Sequence, residues 1–473
     1  MSEAAQGSGT QADVPADEAG YHQALGNRHV QMIAVGGAIG TGLFLGAGAR
    51  LQAAGPALAL VYLVCGVFAF LVMRALGELV LHRPASGSFV TYAREFLGEG
   101  AAFAAGWMFF LNWGMTGIAD ITAVALYLHH WPIFAAVPQW LAAAGALVVV
   151  GAMNLLGVLW FGELEFWFAL IKVTALSLFL VVGLVFVGGG FTVAGHAAGL
   201  SLVAENGGLF PHGALAALVL VQGVIFAFSG VEIVGTAAGE TKDARRVLPR
   251  AINGVIWRVA LFYVGSVALL VCLMPWSSYR AGESPFVTFF GAIGVPGAGS
   301  IMNLVVITAA LSSLNSGLFA TGRTLRALAQ HGSAPRPLAL MSRQGVPYVG
   351  ICLALTIYAA GVGLNYLVPT QAFEIVINVA SLGVLSTWAF IVLSQMAFRR
   401  AVARGSVAAV SFRLPGGVIS AVATLAFLGG VLVLMGFDYP NGTGAVAALP
   451  LVALVLGLGW RVAKRARSVT TPR

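Results

Sequence analysis

The segment 36–42, with the sequence GGAIGTG, interrupts the first long apolar stretch of this chain. Glycine suits a helix interior poorly, since each one costs about 1 kcal/mol relative to alanine. A second interruption, FSGVE at residues 228–232, lies within another long apolar stretch in the second half of the chain. The two segments predict a pair of helices that are broken at corresponding places in two halves of the protein.

Composition defines the surroundings of these broken helices. The 473 residues are 59% hydrophobic and 9% charged, with a mean hydropathy of +0.92. Soluble domains carry about 25% charged residues, so the composition predicts an all-α polytopic membrane protein. The net charge of +8 comes from residues spread between apolar segments. That distribution is typical of topology signals and argues against a nucleic-acid-binding face.

The length allows about twelve spanning helices of about 20 residues with short loops. The predicted spans, of which the first and sixth are broken, are 30–53, 56–80, 100–128, 138–160, 164–188, 213–238, 250–274, 299–328, 347–367, 372–397, 416–436 and 445–462. All but five of the 25 Lys and Arg residues lie on the side of the N-terminal tail or in the C-terminal tail. The positive-inside rule then predicts that both termini are cytoplasmic, which requires an even number of spans.

The spacing of the breaks predicts an internal repeat. Residues 171–176 (IKVTAL) resemble 377–382 (INVASL), and five predicted spans separate them, as five separate the two breaks. An odd number of spans per repeat inverts the second copy across the membrane. The predicted units are a disordered cytoplasmic tail at 1–28, a core at 29–400 with repeats at about 30–190 and 212–400, helices 11 and 12 at 401–462, and a cytoplasmic tail at 463–473.

Broken helices at membrane depth expose backbone groups that a continuous helix would satisfy internally. The N–H groups of Gly40, Thr41 and Gly42 begin a half-helix, and their partial positive charge suits a carboxylate. Carbonyl groups near Gly36 and at 226–230 suit an ammonium group. The paired breaks therefore predict the amino acid site of a secondary transporter. The alternative is that the glycines serve only close helix crossing.

Charged residues within the spans are functional candidates because burying them in a bilayer is costly. Asp120 lies in the third span, and Glu232 follows the second break. Asp120 either binds substrate or satisfies hydroxyls of a neighbouring helix. The predicted substrate-binding residues are Ile39, Gly40, Thr41, Gly42, Asp120, Phe226, Ala227, Ser229, Gly230 and Glu232.

Lys172 lies in the middle of the fifth span, with apolar residues on both sides. A charged lysine at that depth costs about 2.5–3.5 kcal/mol on insertion scales. The position predicts a residue that exchanges a proton during transport, and the alternatives are a permanent ion pair or snorkelling to the interface. Further gate or coupling candidates are Ser312, Ser313, Glu240 and Arg323. For the two serines, interhelical hydrogen bonding is the simpler alternative.

Several motifs together resemble those of bacterial amino acid permeases in the amino acid–polyamine–organocation superfamily. They are GNRH at 26–29, GGAIGTGLFLG at 36–46, FGELEFWF at 161–168, FAFSGVE at 226–232, AAGET at 237–241 and SSLNSG at 312–317. Within the superfamily, residues 113–127 are similar to permeases for L-asparagine, although permeases for glycine and alanine share parts of that segment.

The resemblance implies a fold and a function. The implied fold is a twelve-helix inverted repeat like that of the leucine transporter, and the implied activity is proton-coupled uptake. The substrate carboxylate would lie on the backbone at 40–42, its amino group would lie on carbonyls near both breaks, and Phe226 would form an aromatic gate. Lys172 would replace the sodium ion of sodium-coupled relatives, next to the first break and Ser312.

The expected activity is thus import of a neutral amino acid, with L-asparagine favoured by the likeness of 113–127, across the cytoplasmic membrane, driven by a proton gradient without any cofactor or metal. The expected partners are the amino acid and the lipid bilayer, and the oligomeric state is left open. Alternatives are another amino acid as substrate, amino acid exchange, or an intramembrane enzyme. The sequence has no HExxH motif and no GxxxxGK[ST] nucleotide-binding motif, which disfavours the enzyme and transport driven by its own ATP hydrolysis.

Overall fold

The computed structural model describes residues 25–37, 39–241, 243–369 and 372–470. Most of the predicted N-terminal tail, residues 1–24, lies outside the described residues. The helices before residue 190 are α1 (Asn27–Gly36), α2 (Thr41–Phe44), α3 (Gly46–Ala54), α4 (Leu58–His82), α5 (Ser88–Leu97), α6 (Glu99–Leu128), α7 (Gln139–Leu155) and α8 (Val158–Gly189).

A small hairpin of β1 (Thr192–Val193) and β2 (His196–Ala197) separates these helices from the second half. The helices that follow are α9 (Ser201–Glu205), α10 (Gly213–Val219), α11 (Val221–Ala227), α12 (Ile233–Thr236), α13 (Ala244–Asn253), α14 (Val255–Arg258), α15 (Ser266–Leu273), α16 (Pro285–Ala292), α17 (Ala298–Gln330), α18 (Tyr348–Leu367), α19 (Ala372–Ala403), α20 (Gly417–Met435), α21 (Asn441–Ala447) and α22 (Leu449–Thr470). A π-helical segment, Val259–Gly265, joins α14 to α15.

Within the described ranges, nine helical stretches are long and apolar enough to cross a membrane. One of them, Thr41–His82, has 42 residues and contains α2, α3 and α4. Two shorter apolar helical stretches are Gln139–Leu155 and Gly213–Ala227. The prediction of a mostly helical, multi-pass membrane protein is confirmed.

The outer surface of the long helices is apolar, as a bilayer requires. Leu63, Val148, Val181, Leu184 and Val433 are each between 45% and 71% exposed. In water such a surface would be a large exposed apolar patch, whereas lipid tails are as apolar as these side chains. Lipid contact therefore accounts for the apolar residues that the protein interior does not cover.

Several helix ends differ from the predicted ones. The fourth span was expected to continue to residue 160, but α7 ends at Leu155 and α8 begins at Val158. Gly157 turns the chain there with φ of +121°, a conformation that glycine adopts without strain. At the chain ends, α1 begins at Asn27 and α22 continues to Thr470, so parts of both predicted tails are helical.

Both predicted helix breaks are confirmed. The first helix stops at Gly36 and resumes as α2 at Thr41, and the second stops at Ala227 and resumes as α12 at Ile233. Helices α2 and α11 contact one another, α8 packs on α1 and α17, and α19 packs on α6 and α11. This packing places both interruptions in the interior of the helix bundle.

Candidate functional site at the paired helix breaks

The two interruptions touch through their glycines. Gly230 has a φ of +100°, and a Cβ atom there would overlap the carbonyl oxygen of Gly37. A Cβ on Gly42 would lie 2.5 Å from the Cα of Ala227. Residues from the two halves of the chain therefore form one centre. Close helix crossing, the alternative explanation considered for these glycines, also applies to Gly42, because the two helices approach too closely there for a side chain.

The first break ends at the beginning of α2. Gly40 precedes that helix in extended conformation, and the first N–H groups of a helix have no partner within it. Thr41 and Gly42 are buried, whereas Gly40 is only partly so. The accessible backbone at the break is therefore that of Gly40, where the partial positive charge of the helix start is concentrated.

Asp120 is fully buried beside the first break. Its Oδ1 atom accepts a hydrogen bond of 2.6 Å from the Thr41 hydroxyl. This contact joins α6 to the first residue of α2. The contact matches one of the two roles considered for Asp120 from sequence, a bond to the hydroxyl of a neighbouring helix; substrate binding by Asp120 stays a prediction.

Lys172 is fully buried and reaches the first break directly. Its Nζ donates to the carbonyl oxygen of Ile39 at 3.0 Å and to the Ser312 hydroxyl at 2.8 Å. The Ser312 hydroxyl in turn donates to Oε1 of Glu165 at 2.7 Å. Ser312 thus accepts from an ammonium group and donates to a carboxylate, so one hydroxyl links the two charged side chains.

The sequence-based prediction missed Glu165, which is as deeply buried as Lys172. The two residues lie seven positions apart in α8, and seven positions correspond to about two turns of one helix face. That spacing was the available signal. Glu165 stands at the start of the predicted fifth span, 164–188, whereas α8 begins seven residues before it, at Val158.

The second break is stabilised by its own acidic residue. Oε2 of Glu232 accepts hydrogen bonds from the backbone N–H of Gly230 at 3.3 Å and from Nε1 of Trp388 at 3.5 Å. The Ala227 carbonyl accepts from the Tyr263 hydroxyl at 3.2 Å, and the Ser229 hydroxyl accepts from Asn112 at 3.3 Å. Glu232 therefore supports the turn and contacts α19, at some distance from the Lys172 group.

Phe226, the predicted aromatic gate, lies in the last turn of α11 and is buried. Its carbonyl oxygen accepts the Ser229 N–H at 2.9 Å. Ser313 lies at the first break, where a Cβ on Gly40 would be 3.5 Å from its hydroxyl oxygen. The predicted substrate residues of both halves are thus gathered at one place in the fold.

A buried ion pair lies at the end of the second broken helix. The Arg323 guanidinium forms two hydrogen bonds with the Glu240 carboxylate, and both side chains are at most 3% exposed. Arg323 also lies over the Phe319 ring, 3.4 Å from its centroid, and the Glu240 carbonyl accepts the Leu25 N–H at 3.2 Å. The pair joins α17, the second broken helix and the segment that precedes α1.

The opposite end of the broken helices holds a second polar cluster, which sequence did not predict. Arg50 is 5% exposed in α3, and its Nη1 donates to the Gly46 carbonyl at 2.6 Å. Its guanidinium lies against Gly223, where a side chain would overlap it. Next to it, Gln222 donates to Oδ2 of Asp438 at 3.0 Å. Burial raises the pKa of Asp438, and the Gln222 hydrogen bond opposes that change.

None of these side chains forms a metal site in the part of the chain that the structure describes, where no three His, Cys, Asp or Glu residues gather. The site offers backbone amides, hydroxyls, one lysine and the carboxylates of Asp120, Glu165 and Glu232. Such groups can bind a small polar molecule by hydrogen bonds.

A multi-pass membrane protein whose two broken helices meet at a buried lysine has the architecture of a secondary transporter. The family model for amino acid permeases matches residues 29–469, and the chain belongs to that family.

Its relatives include proteins that are named for one substrate. An L-asparagine permease of Salmonella typhimurium is 64% identical over 445 residues, which cover 94% of this chain and 90% of that protein. An L-asparagine permease of Escherichia coli is also 64% identical, over 94% of this chain and 89% of its own length. L-asparagine permease 1 of Mycobacterium tuberculosis is 57% identical over 97% of this chain and 94% of its own length.

Proposed function

We propose that this protein imports L-asparagine together with a proton. The observation that carries the proposal is the meeting of two helix breaks at a buried lysine that contacts the first of them. The names of the relatives support asparagine as the substrate, as does the segment 113–127. The driving ion is the proton, no cofactor takes part, and no covalent reaction occurs.

The proposed topology has twelve crossings with both termini in the cytoplasm. The 42-residue stretch Thr41–His82 would be about 63 Å long as one helix, about twice the hydrocarbon core of a bilayer. Gly55, with φ of +63°, interrupts it. Counting this stretch twice, and the helices Gln139–Leu155 and Gly213–Ala227 once each, turns nine candidate spans into twelve.

Helix packing supports the inverted repeat. In the proposed numbering, α8 is span 5 and packs on span 1 (α1) and span 8 (α17). In the second half, α19 is span 10 and packs on span 6 (α11) and span 3 (α6). Spans 5 and 1 of the first repeat correspond to spans 10 and 6 of the second, and span 8 of the second repeat corresponds to span 3 of the first. The two sets of neighbours are therefore equivalent, as a repeat of five spans requires. Helices α20 to α22 lie outside the repeat.

In the proposed complex, the asparagine carboxylate lies at the start of α2 on the N–H groups of residues 40–42. The ammonium group lies on carbonyls at the end of α11, where the Ala227 oxygen accepts a hydrogen bond from Tyr263 and can accept a second one. Phe226 covers the substrate. A carbonyl oxygen accepts two hydrogen bonds, so this arrangement leaves the internal bonds of the break intact.

The proton is proposed to move through Lys172. When the lysine is protonated, its positive charge strengthens the hydrogen bonds to the Ile39 carbonyl and the Ser312 hydroxyl; after proton loss, two N–H donors remain, but neither bond is charge-assisted. The Ser312 hydroxyl lies between Lys172 and Glu165, so a proton can pass between them without leaving the protein interior. Loosening of the Ile39 contact then couples the charge of the lysine to the geometry of the first break.

Transport in proteoliposomes tests the proposal. We expect inward-directed proton gradients to drive accumulation of labelled asparagine in the absence of sodium. A panel of the twenty unlabelled amino acids, added as competitors, identifies the preferred substrate. Uptake that requires sodium and ignores the pH gradient would refute proton coupling. Uptake that occurs only after internal amino acid is loaded would show exchange instead.

Alanine variants at two glycines of the first break, Gly40 and Gly42, distinguish substrate binding from helix packing. We expect Gly42→Ala to lower the free energy of unfolding by about 1–3 kcal/mol, because its Cβ would lie 2.5 Å from the Ala227 Cα. Gly40→Ala has ordinary contact distances to Ser313 and is expected to fold normally. It should raise the KM for asparagine about fivefold, because the added methyl group lies beside the Gly40 N–H and would displace the substrate carboxylate, which weakens a hydrogen bond of about 1 kcal/mol. An unchanged KM for Gly40→Ala would move the carboxylate site elsewhere.

A further inference from the structure

A large cavity lies away from the helix breaks. It is a groove of about 1120 Å³ between α6, α18 and α22, and residues 332–336 close one end. Its walls are apolar and include Trp107, Leu111, Ile357 and Val455. We propose that this groove binds an anionic phospholipid, with an acyl chain along α22 and the phosphate at Arg336.

The groove has the length of one lipid leaflet. Along α6 it runs from Phe103 to Met115, which at 1.5 Å per residue is about 18 Å. Half of a hydrocarbon core is about 15 Å thick. Because both α6 and α22 are candidate spans, the groove extends from one membrane surface towards the midplane, as an acyl chain of that leaflet does.

The groove is wide enough for the acyl chains of a lipid. A volume of about 1120 Å³ over that length corresponds to a mean cross-section of about 60 Å². Alkyl chains fit this cross-section. Only 6% of the most apolar window in the candidate span Gly442–Arg467 is buried, so α22 touches the core over a small area, at Phe103 and Trp460 among other residues, and leaves the groove beside it.

Basic residues mark the polar end of the groove. Arg336 lines it and is exposed, and it follows the end of α17 that also carries Arg323. The last turns of α22 also carry Arg461, Lys464 and Arg465, which are exposed at the same end of the helix but do not line the groove. Arg467 already contacts Glu99 and Ser333, and these contacts attach α22 to the core beside the groove. Basic residues near the membrane surface attract anionic headgroups.

Native mass spectrometry of the purified full-length protein tests the proposal. The protein is incubated with phosphatidylglycerol or with zwitterionic phosphatidylethanolamine, and retained lipid is measured. We expect phosphatidylglycerol to be retained preferentially. Arg336→Gln should reduce that preference about fivefold, which corresponds to about 1 kcal/mol per basic residue at the membrane surface. Arg343→Gln, at an exposed arginine outside the groove, is the matched control and should change nothing.

A second pair of variants tests the hydrocarbon part. Val455 lines the groove and Leu454 does not, although both are 58% exposed. Val455→Trp should fill the groove and lower retention of both lipids at least fivefold, whereas Leu454→Trp should leave retention unchanged. Equal retention of the two lipids by the original protein would overturn the proposal. So would equal effects of Arg336→Gln and Arg343→Gln, or a dimer that Val455→Trp dissociates.

Discussion

Replacing Lys172 with methionine is expected to abolish proton-driven accumulation of asparagine. The substitution leaves the buried Glu165 without the ammonium that faces it through Ser312, and it removes the hydrogen bond to the Ile39 carbonyl. Removing one partner of a buried charge pair costs about 3–5 kcal/mol. Accumulation in proteoliposomes under an inward proton gradient should fall at least about a hundredfold.

Loss of folding would produce the same result, so a second variant separates the two effects. The double variant Lys172→Met with Glu165→Gln removes both charges, which relieves the unpaired carboxylate. We expect it to regain much of the thermal stability and some asparagine binding, measured by ligand-dependent stabilisation, yet to remain unable to accumulate substrate. Normal accumulation by either variant would exclude Lys172 from the proton path.

The second large effect is expected at the buried ion pair of Glu240 and Arg323. The pair joins the end of the second broken helix to α17 and holds the backbone before α1. We propose that it closes the cytoplasmic side during each cycle. Removing one partner of a buried ion pair costs about 3–5 kcal/mol. Half of that free energy already corresponds to at least about a tenfold effect, so we expect Arg323→Ala to reduce accumulation at least about tenfold.

Two further variants test whether the position of the pair matters. The exchanged pair Glu240→Arg with Arg323→Glu should restore part of the accumulation that Arg323→Ala loses. Arg399→Ala breaks another ion pair, in which Arg399 lies 2.5 Å from the fully buried Glu78. It should lower thermal stability while accumulation by the folded protein persists. If Arg399→Ala and Arg323→Ala reduced transport equally at equal stability, the gate would be refuted.

The helix breaks were predictable because their cause is local. Glycine disfavours a helix wherever it stands, and the chain places glycines at 36, 37, 40 and 42 within an apolar stretch. Lys172 was predictable for a similar reason, since a charge among apolar residues is costly in any fold. The particular partners of Asp120 and Glu232 on other helices were not predictable. Each carboxylate needs donors, and the donors that it found, Thr41 and Trp388, lie on other helices.

The sequence by itself determined the membrane environment, the helical class, the two breaks and the buried lysine, because composition and glycine placement act within a few residues of the chain. Only the tertiary structure decided that Ser312 links Lys172 to Glu165 and that Ala227 packs on Gly42. These contacts join residues that lie far apart in the chain. They depend on how each helix is rotated and crossed against its neighbours, and hydropathy alone leaves those angles undetermined.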